Sequence, residues 1–165
     1  RLRCDWSSDV CSSDLTIGPL TLINDLPENF LVMNGDILTD LSFSSLMQDH
    51  AENKCELSVA TYVRKQRIDF GVLEVDENNL VKGFREKPEY TFKVSMGVYI
   101  LNRSIIDRLE PGVEYGFDNL MLDGIKNGLN IRSYNFEGYW LDIGRPDDYI
   151  QANKDYPKLK KVFYE

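Results

Sequence analysis

The sequence contains one histidine and three cysteines, and basic residues are outnumbered by acidic ones. It therefore offers neither a zinc-ligand spacing nor a Ser/His/Asp set for nucleophilic catalysis. No apolar run approaches the roughly 20 residues of a membrane span, and no charged-then-apolar leader is visible, which predicts a soluble, cytoplasmic protein without a membrane partner. The net charge of −8 disfavours a nucleic-acid partner, because phosphate backbones repel an acidic surface.

What is present is enough for a folded core. A length of 165 residues with 42% hydrophobic residues fits one globular domain. The acidic charge is compatible with phosphate binding at a metal, since the ion supplies the positive charge. His50 lies on the apolar stripe of a predicted helix and is interpreted as a packed residue, and Cys55 as a small apolar filler.

Residues 1–15 differ from the rest of the chain. They contain Cys4, Trp6, Cys11 and four serines, without a periodic apolar pattern. The stretch 5–15 looks like an in-frame translation of a sequencing-library adapter, so it is interpreted as a foreign prefix and the natural N-terminus is expected to be missing. The alternative is a small secreted module closed by a Cys4–Cys11 disulfide, which nothing else in the chain supports.

From residue 16 onward strand and helix patterns alternate without a linker, which predicts one α/β domain over 16–165 with a mixed sheet. The predicted elements are a buried strand 30–33, a helix 43–50 capped by Ser42, a strand 57–63, a hairpin of 70–75 and 80–84, a strand 94–101, helices 104–109 and 117–127, a strand 131–141 and a last helix from Pro146.

Two aspartates follow predicted strands. Asp36 comes after an Asn-Gly dipeptide, which is typical of hairpin turns, but a helical pattern follows it rather than a second strand. Asp36 is therefore placed at the carboxyl end of a buried strand, where open α/β sheets bind ligands. Asp142 either caps the last helix, pairs with Arg145, or faces Asp36 as a second oxygen ligand. Two carboxylates plus substrate phosphates form a ligand set that Mg²⁺ accepts.

Glu86 and Lys87 stand at the end of the predicted hairpin, directly before a proline. The purely structural interpretation is that they are solvent-exposed charged residues at the point where the chain leaves a strand. The functional alternative is a pair that serves a phosphorylated sugar, with the carboxylate accepting from hydroxyls and the ammonium placed on the phosphate.

Together these segments make the chain resemble the sugar-phosphate nucleotidyltransferase family, which includes mannose-1-phosphate guanylyltransferases and glucose-1-phosphate thymidylyltransferases. Each segment is short, but five occur in the family's order across nearly all of 16–165. They are TIGPL, FLVMNGDILTD, DFGVLEVDENNLVKGFREKP, VSMGVYILN and GYWLDIGRPDDY.

The resemblance implies a Rossmann-like nucleotidyltransferase domain with a mixed central sheet. The implied reaction joins a nucleoside triphosphate and a sugar 1-phosphate into a nucleotide-sugar and pyrophosphate, with Mg²⁺ as cofactor. The implied catalytic residues are Asp36, Lys87 and Asp142, of which the two aspartates bind the metal. The implied substrate-binding residues are Gly18, Gly71, Glu86, Lys87 and Ser95.

The chain departs from the family pattern in two places. The family's first strand and its glycine-rich, arginine-containing loop are expected upstream of residue 16 and are missing, which predicts an exposed sheet edge and a fragment with weak or no turnover. Ser95-Met96 replaces a more polar pair of many relatives. Two alternatives stay open: a non-catalytic sugar-phosphate-binding scaffold, and, ranked last, a glycosyltransferase, whose Asp-x-Asp pair is absent. An oligomer is possible, and the base and the sugar are not specified.

Overall fold

The computed structural model describes residues 17–111, 114–144 and 146–164. The predicted foreign prefix, the Cys4–Cys11 alternative and the Arg145 partner of Asp142 lie outside these residues. The strands are β1 (Asn29–Met33), β2 (Ile37–Thr39), β3 (Leu57–Arg67), β4 (Val72–Val75), β5 (Val81–Arg85), β6 (Glu89–Asn102), β7 (Ile131–Phe136) and β8 (Trp140–Asp142). The helices are α1 (Phe43–Glu52), α2 (Arg103–Ile106), α3 (Phe117–Lys126) and α4 (Pro146–Tyr164), with a 3₁₀ turn at Gly18–Leu22.

A central sheet of four strands has the order β1-β6-β3-β7. β6 runs antiparallel to both of its neighbours, while β7 is parallel to β3. β1, β3 and β7 therefore point the same way. Their carboxyl ends lie along one side of the sheet, which we call its carboxyl edge. The predicted mixed sheet is confirmed. Within the described residues β1 is an edge strand, because β6 is its only strand partner.

Apolar side chains cover both faces of the central sheet. On one face Phe30 and Val32 of β1 pack with Leu57 and Leu101 in a cluster that α2 and α3 complete. On the other face Ile100 of β6 packs with residues of α1, β2 and β8. β1 alternates between the two faces, as the pleat of a strand requires. Burial on both sides explains why its sequence shows no polar alternation.

A bulge interrupts β6 beside the carboxyl edge. The register with β3 pairs Val59 with Tyr99 but Thr61 with Ser95, so the three residues 96–98 of β6 face one residue of β3. Beyond the bulge β3 and β6 stay paired as far as Arg67 and Glu89, forming a two-stranded extension that leaves the central sheet. The β4–β5 hairpin, a separate two-stranded sheet, is inserted in the sequence between the two strands of this extension.

Several predicted boundaries were wrong. The predicted strand 131–141 is two strands in two different sheets, with the break at 137–139. The segment 37–39 carries no predicted element, yet it forms β2, and the 3₁₀ turn was not predicted either. The short helix spans Arg103–Ile106 rather than 104–109, and the hairpin strands begin at Val72 and Val81. β6 starts five residues before the predicted strand, because pairing with β3 continues past the core.

The predictions for His50 and Cys55 are confirmed, since both are buried. The His50 ring lies at the opposite edge of the sheet, with Nδ1 2.9 Å from Ser58 Oγ and Nε2 3.1 Å from Asn29 Oδ1. Asn29 Oδ1 also accepts from Asn102 Nδ2 at 3.0 Å. The carboxamide oxygen cannot donate, so Nε2 carries the proton and Nδ1 accepts from the serine. Burial lowers the pKa of His50, and the charge of Asp49 opposes this shift.

We expect the free energy of unfolding to fall as the pH drops below about 6.5, the ordinary pKa of histidine. In that range His50 is protonated in the unfolded chain but stays neutral in the folded chain, because its pKa is lower there. The additional proton bound by the unfolded chain favours unfolding. His50→Gln should remove the part of the pH dependence of the unfolding free energy that is due to His50, and should leave the part that is due to the carboxylates. Urea melts of both proteins between about pH 5 and pH 7.5 measure it. A stability difference between native chain and variant that stays constant across this range would contradict the prediction.

Candidate active site

The bulge in β6 fixes the turn that carries Asp36. Gly97, within the bulge, has a φ of +74°, and its carbonyl accepts from the backbone N–H of Asn34 at 2.9 Å. A Cβ built on Gly97 would lie 2.9 Å from Asn34 Nδ2. The chain after β1 is thus held tightly against β6 at a position that only glycine fills without strain. Bulges commonly re-aim the chain beside functional sites in this way.

The small β2–β8 sheet joins two segments that are distant in the sequence. Its antiparallel register pairs Ile37 with Asp142 and Thr39 with Trp140. The ladder continues one step further, since Ile143 N–H donates to the Asp36 carbonyl at 2.8 Å. The residue before β2 and the last residue of β8, both aspartates, therefore lie at the same end of this sheet.

The two aspartate side chains converge on Gly144. A Cβ built on Gly144 would lie 2.7 Å from Asp36 Oδ2 and 3.2 Å from Asp142 Oδ1. The Gly144 N–H donates to Asp142 Oδ1 at 3.1 Å. Any side chain at Gly144 would occupy the space that both carboxylates face. Among the described residues no cluster of three or more acidic, histidine or cysteine side chains could hold a metal, so a cation here would have two protein carboxylates.

Tyr139 ties α4 to this small sheet. Its backbone N–H donates to Asp40 Oδ1 at 2.7 Å, and its hydroxyl lies 3.4 Å from Asp155 Oδ2 on α4. Burial, with the negative charges of Asp155 and Asp148, raises the pKa of Tyr139 to about 12. The phenol is therefore protonated at neutral pH and donates to Asp155, which holds α4 next to the strand that carries Asp142.

A second group of predicted residues lies at the base of the β4–β5 hairpin. A Cβ built on Gly71 would come 2.5 Å from the Phe84 ring and 3.4 Å from Glu86 Oε2. Lys87 Nζ lies 4.0 Å from Glu86 Oε1, and both side chains are largely exposed. The structure thus brings Gly71, Glu86 and Lys87 together. Within the described part of the chain no hydrogen bond or ion pair links this group to the two aspartates.

The backbone of Lys87 is strained. Its φ of +42° lies in the left-handed region that side chains other than glycine rarely adopt. Strain of this kind persists where surrounding structure enforces it, and it concentrates at functional sites. Lys54, at the end of α1 on the opposite edge, has a similar φ of +50°.

Lys87→Gly should stabilise the fold by up to about 1 kcal/mol, because it removes the left-handed strain. The same change should weaken binding of a sugar 1-phosphate, because the positive charge is lost. Urea melts and calorimetric titration with mannose 1-phosphate measure the two effects. Lys54→Gly is the matched control: it relieves comparable strain and should leave ligand binding unchanged. Equal ligand affinities for the two variants would rule out a binding role for Lys87.

Two further predicted binding residues, Gly18 and Ser95, have no described hydrogen bond to a member of either group. Gly18 is buried in the 3₁₀ turn, and its N–H donates to the Tyr115 carbonyl at 2.9 Å. Ser95 is exposed on β6; its hydroxyl donates to Tyr99 Oη at 3.2 Å and accepts from Gly97 N–H at 3.3 Å. The Ser95 hydroxyl therefore supports the bulge, and its role toward a ligand stays a prediction.

Sequence reasoning missed three residues that shape this region. Gly97 and Gly144 act through close backbone approach, and Trp140 donates from Nε1 to the Met96 carbonyl in the bulge at 3.0 Å. Trp140 and Gly144 stand in the GYWLDIG segment beside Asp142, which was a usable signal. Gly97 carries no signal of its own, because its φ depends on the register between β3 and β6.

In comparisons with known proteins, the matching family model and the two curated relatives given below are all nucleotidyltransferases. A family model described as nucleotidyl transferase matches residues 17–158. The mannose-1-phosphate guanylyltransferase catalytic subunit beta of Drosophila pseudoobscura pseudoobscura is 29% identical over 141 residues, covering 82% of this chain and 38% of the relative. The mannose-1-phosphate guanyltransferase of Schizosaccharomyces pombe is 31% identical over 143 residues, covering 82% and 39%. The chain thus spans about two fifths of these curated relatives.

A solved structure shares the fold. HddC from Yersinia pseudotuberculosis, complexed with GMP-PN, is 22% identical with a TM-score of 0.58, covering 87% of this chain and 63% of that one. The architecture, with its mixed central sheet, is therefore the Rossmann-like arrangement of that protein. No helix among the described residues is long and apolar enough to cross a membrane.

Proposed function

The chain belongs to the nucleotidyl transferase family, and from this premise we propose that it forms part of a protein that transfers a nucleotidyl group from a nucleoside triphosphate to a sugar 1-phosphate, releasing pyrophosphate. The observation that carries the proposal is the convergence of Asp36 Oδ2 and Asp142 Oδ1 on the open space beside Gly144. Both β2 and β8 must pair for that arrangement to form.

We propose that Asp36 and Asp142 hold a Mg²⁺ ion. The fit rests on the donor set and on the absence of a side chain at Gly144, which leaves both carboxylate oxygens facing the same space. Mg²⁺ favours one or two protein carboxylates with waters and substrate phosphates as its remaining ligands. When bound, the ion supplies charge neutralisation and orientation at the transferred phosphoryl group.

The chain's own residues position and neutralise the sugar phosphate in this proposal. Glu86 accepts hydrogen bonds from sugar hydroxyls, and Lys87 places its ammonium on the phosphate. Gly71 is exposed beside Glu86 and offers its backbone to the sugar; a larger residue would displace the Phe84 ring, which a Cβ at this position would meet. Gly18 and Ser95 complete the proposed substrate contacts. No histidine is needed as an acid or base, since the attacking phosphate oxygen carries no proton that must be removed at neutral pH.

Pyrophosphate release tests the proposal. The names of the relatives make GTP with mannose 1-phosphate the first pair to assay, followed by other triphosphates and sugar 1-phosphates. The expected result is release that requires both substrates and Mg²⁺ in the protein that contains this chain. Because the chain spans about two fifths of its relatives, sugar-phosphate binding by the chain itself should be titrated in parallel. Binding without any effect of Mg²⁺ would favour the scaffold alternative.

A further inference from the structure

Arg64 lies on the extension of β3 and differs from the other arginines whose side chains are described. Its guanidinium carbon is 5.2 Å from the centre of the Trp140 ring, which itself packs against Tyr62. Each of the others has a carboxylate oxygen within 3.6 Å; these are Arg67, Arg85, Arg103, Arg108 and Arg132. For Arg64 no hydrogen bond or ion pair is found within the described residues.

The position of Arg64 relates it to both groups of site residues. Trp140 and Asp142 are alternate residues of β8, so their side chains leave the same face, about 7 Å apart along the strand. Trp140 is fixed by its hydrogen bond to the Met96 carbonyl. The β3 extension that carries Arg64 leads to the base of the β4–β5 hairpin, where Ile68 N–H donates to the Pro88 carbonyl at 3.0 Å, directly after Glu86 and Lys87. Arg64 thus contacts the β8 residue two positions before Asp142 and lies on the strand that leads to the base of the hairpin.

The chemistry of this arrangement favours an anion. Arg64 presents five N–H donors that no described acceptor uses, in a chain whose net charge is −8. The cation–π contact with Trp140 attracts the guanidinium to one side of the ring, while no described acceptor uses its N–H groups. Two N–H groups of one guanidinium can bind two oxygens of the same phosphate. A flexible lysine would provide charge without this fork.

We propose that Arg64, supported by Trp140, is a phosphate-binding residue of the site. The proposal rests on the proposed function for the identity of its natural ligand, a phosphorylated substrate. Two sources share the required chemistry: the phosphate of the sugar 1-phosphate and the phosphates of the nucleotide. The position of Arg64 on the strand that leads to the hairpin favours the sugar 1-phosphate.

Arg64→Met keeps the side-chain packing and removes the charge, and it gives the first test. Inorganic phosphate is titrated while tryptophan fluorescence is recorded, with Trp140→Phe identifying the part of the signal due to Trp140. We expect a saturable change in the native chain and an affinity about 10- to 100-fold lower in Arg64→Met. Arg64→Lys should fall between the two. Arg67→Met, on the same strand, is the matched control and should bind phosphate as the native chain does.

Titrations with mannose 1-phosphate, unphosphorylated mannose and GTP then separate the sources. A loss confined to mannose 1-phosphate in Arg64→Met supports the assignment to the sugar phosphate, and a loss confined to GTP assigns the residue to the nucleotide. Equal affinity of native chain and Arg64→Met for every phosphate ligand would overturn the proposal, provided that urea melts show both folded. If Arg64→Met loses phosphate binding and the native protein that contains this chain releases no pyrophosphate with any substrate pair, the Arg64 site is kept and the proposed function is rejected.

Discussion

The double variant Asp36→Asn, Asp142→Asn should bind Mn²⁺, a spectroscopic substitute for Mg²⁺, at least about a hundred-fold more weakly than the native chain. Loss of mere outer-sphere partners already weakens metal sites about 10- to 100-fold, and here both carboxylate ligands are removed. Pyrophosphate release by the protein that contains the chain should fall about a thousand-fold, as expected for loss of several kcal/mol of charge stabilisation. Electron paramagnetic resonance of free Mn²⁺ measures the affinity.

The fold itself should tolerate this change. Asp36 is exposed and Asp142 half-buried, and the two carboxylates repel each other when no cation lies between them. We therefore expect the cation-free double variant to be at least as stable as the native chain in urea. Asp147→Asn, in the exposed first turn of α4, is the matched control for a changed charge nearby. Unaltered Mn²⁺ affinity in the double variant would remove the metal site from the proposal.

Gly97→Ala should destabilise the fold by about 2 to 4 kcal/mol. Part of the cost is the left-handed backbone at a φ of +74°, which disfavours any Cβ by about 1 to 2 kcal/mol. The rest comes from the 2.9 Å approach of that Cβ to Asn34 Nδ2 inside the bulge. Because Asn34 precedes Asp36 by two residues, cation affinity should fall as well. Urea unfolding and Mn²⁺ titration measure the two effects.

Gly128→Ala separates backbone strain from the steric contact. Gly128 has nearly the same φ, +72°, but a Cβ there would meet nothing within 4 Å. Its substitution should cost only about 1 kcal/mol and leave Mn²⁺ affinity unchanged. If both alanine variants lose equal stability and neither alters cation binding, the bulge does not position the Asp36 turn.

Local patterns in the sequence predict most of the central sheet. The apolar run at β1, the alternation of β3 and the Ser42 cap of α1 depend on neighbouring residues, and Ser42 Oγ does accept from Ser45 N–H at 3.2 Å. β2 has no such signal, since three residues are too few to show a period. It forms a strand because β8 supplies the partner from about a hundred residues away. The break between β7 and β8 likewise follows from pairing with different strands.

The candidate site likewise contains residues that the sequence predicts and residues whose role depends on contacts between distant segments. Asp36, Glu86, Lys87 and Asp142 are recognisable because they stand in segments that resemble a family. The space beside Gly144 depends on how two backbones meet, which no single segment encodes. Arg64 is indistinguishable in the sequence from the other charged residues of its strand, because its lack of a carboxylate partner is a property of the folded chain alone.

The β2–β8 pairing has a further consequence for the order of folding. Its two strands close one of the longest loops in the described chain, and contacts of such separation form slowly, because ordering a long loop precedes any gain from the contact. In a folding intermediate that has only the central sheet, β2 and β8 would not be paired, so Asp36 and Asp142 would lie apart. Such an intermediate would have no affinity for a divalent ion at this site. Cation uptake, followed in stopped flow, would then report the last step of folding and lag behind the burial of the core.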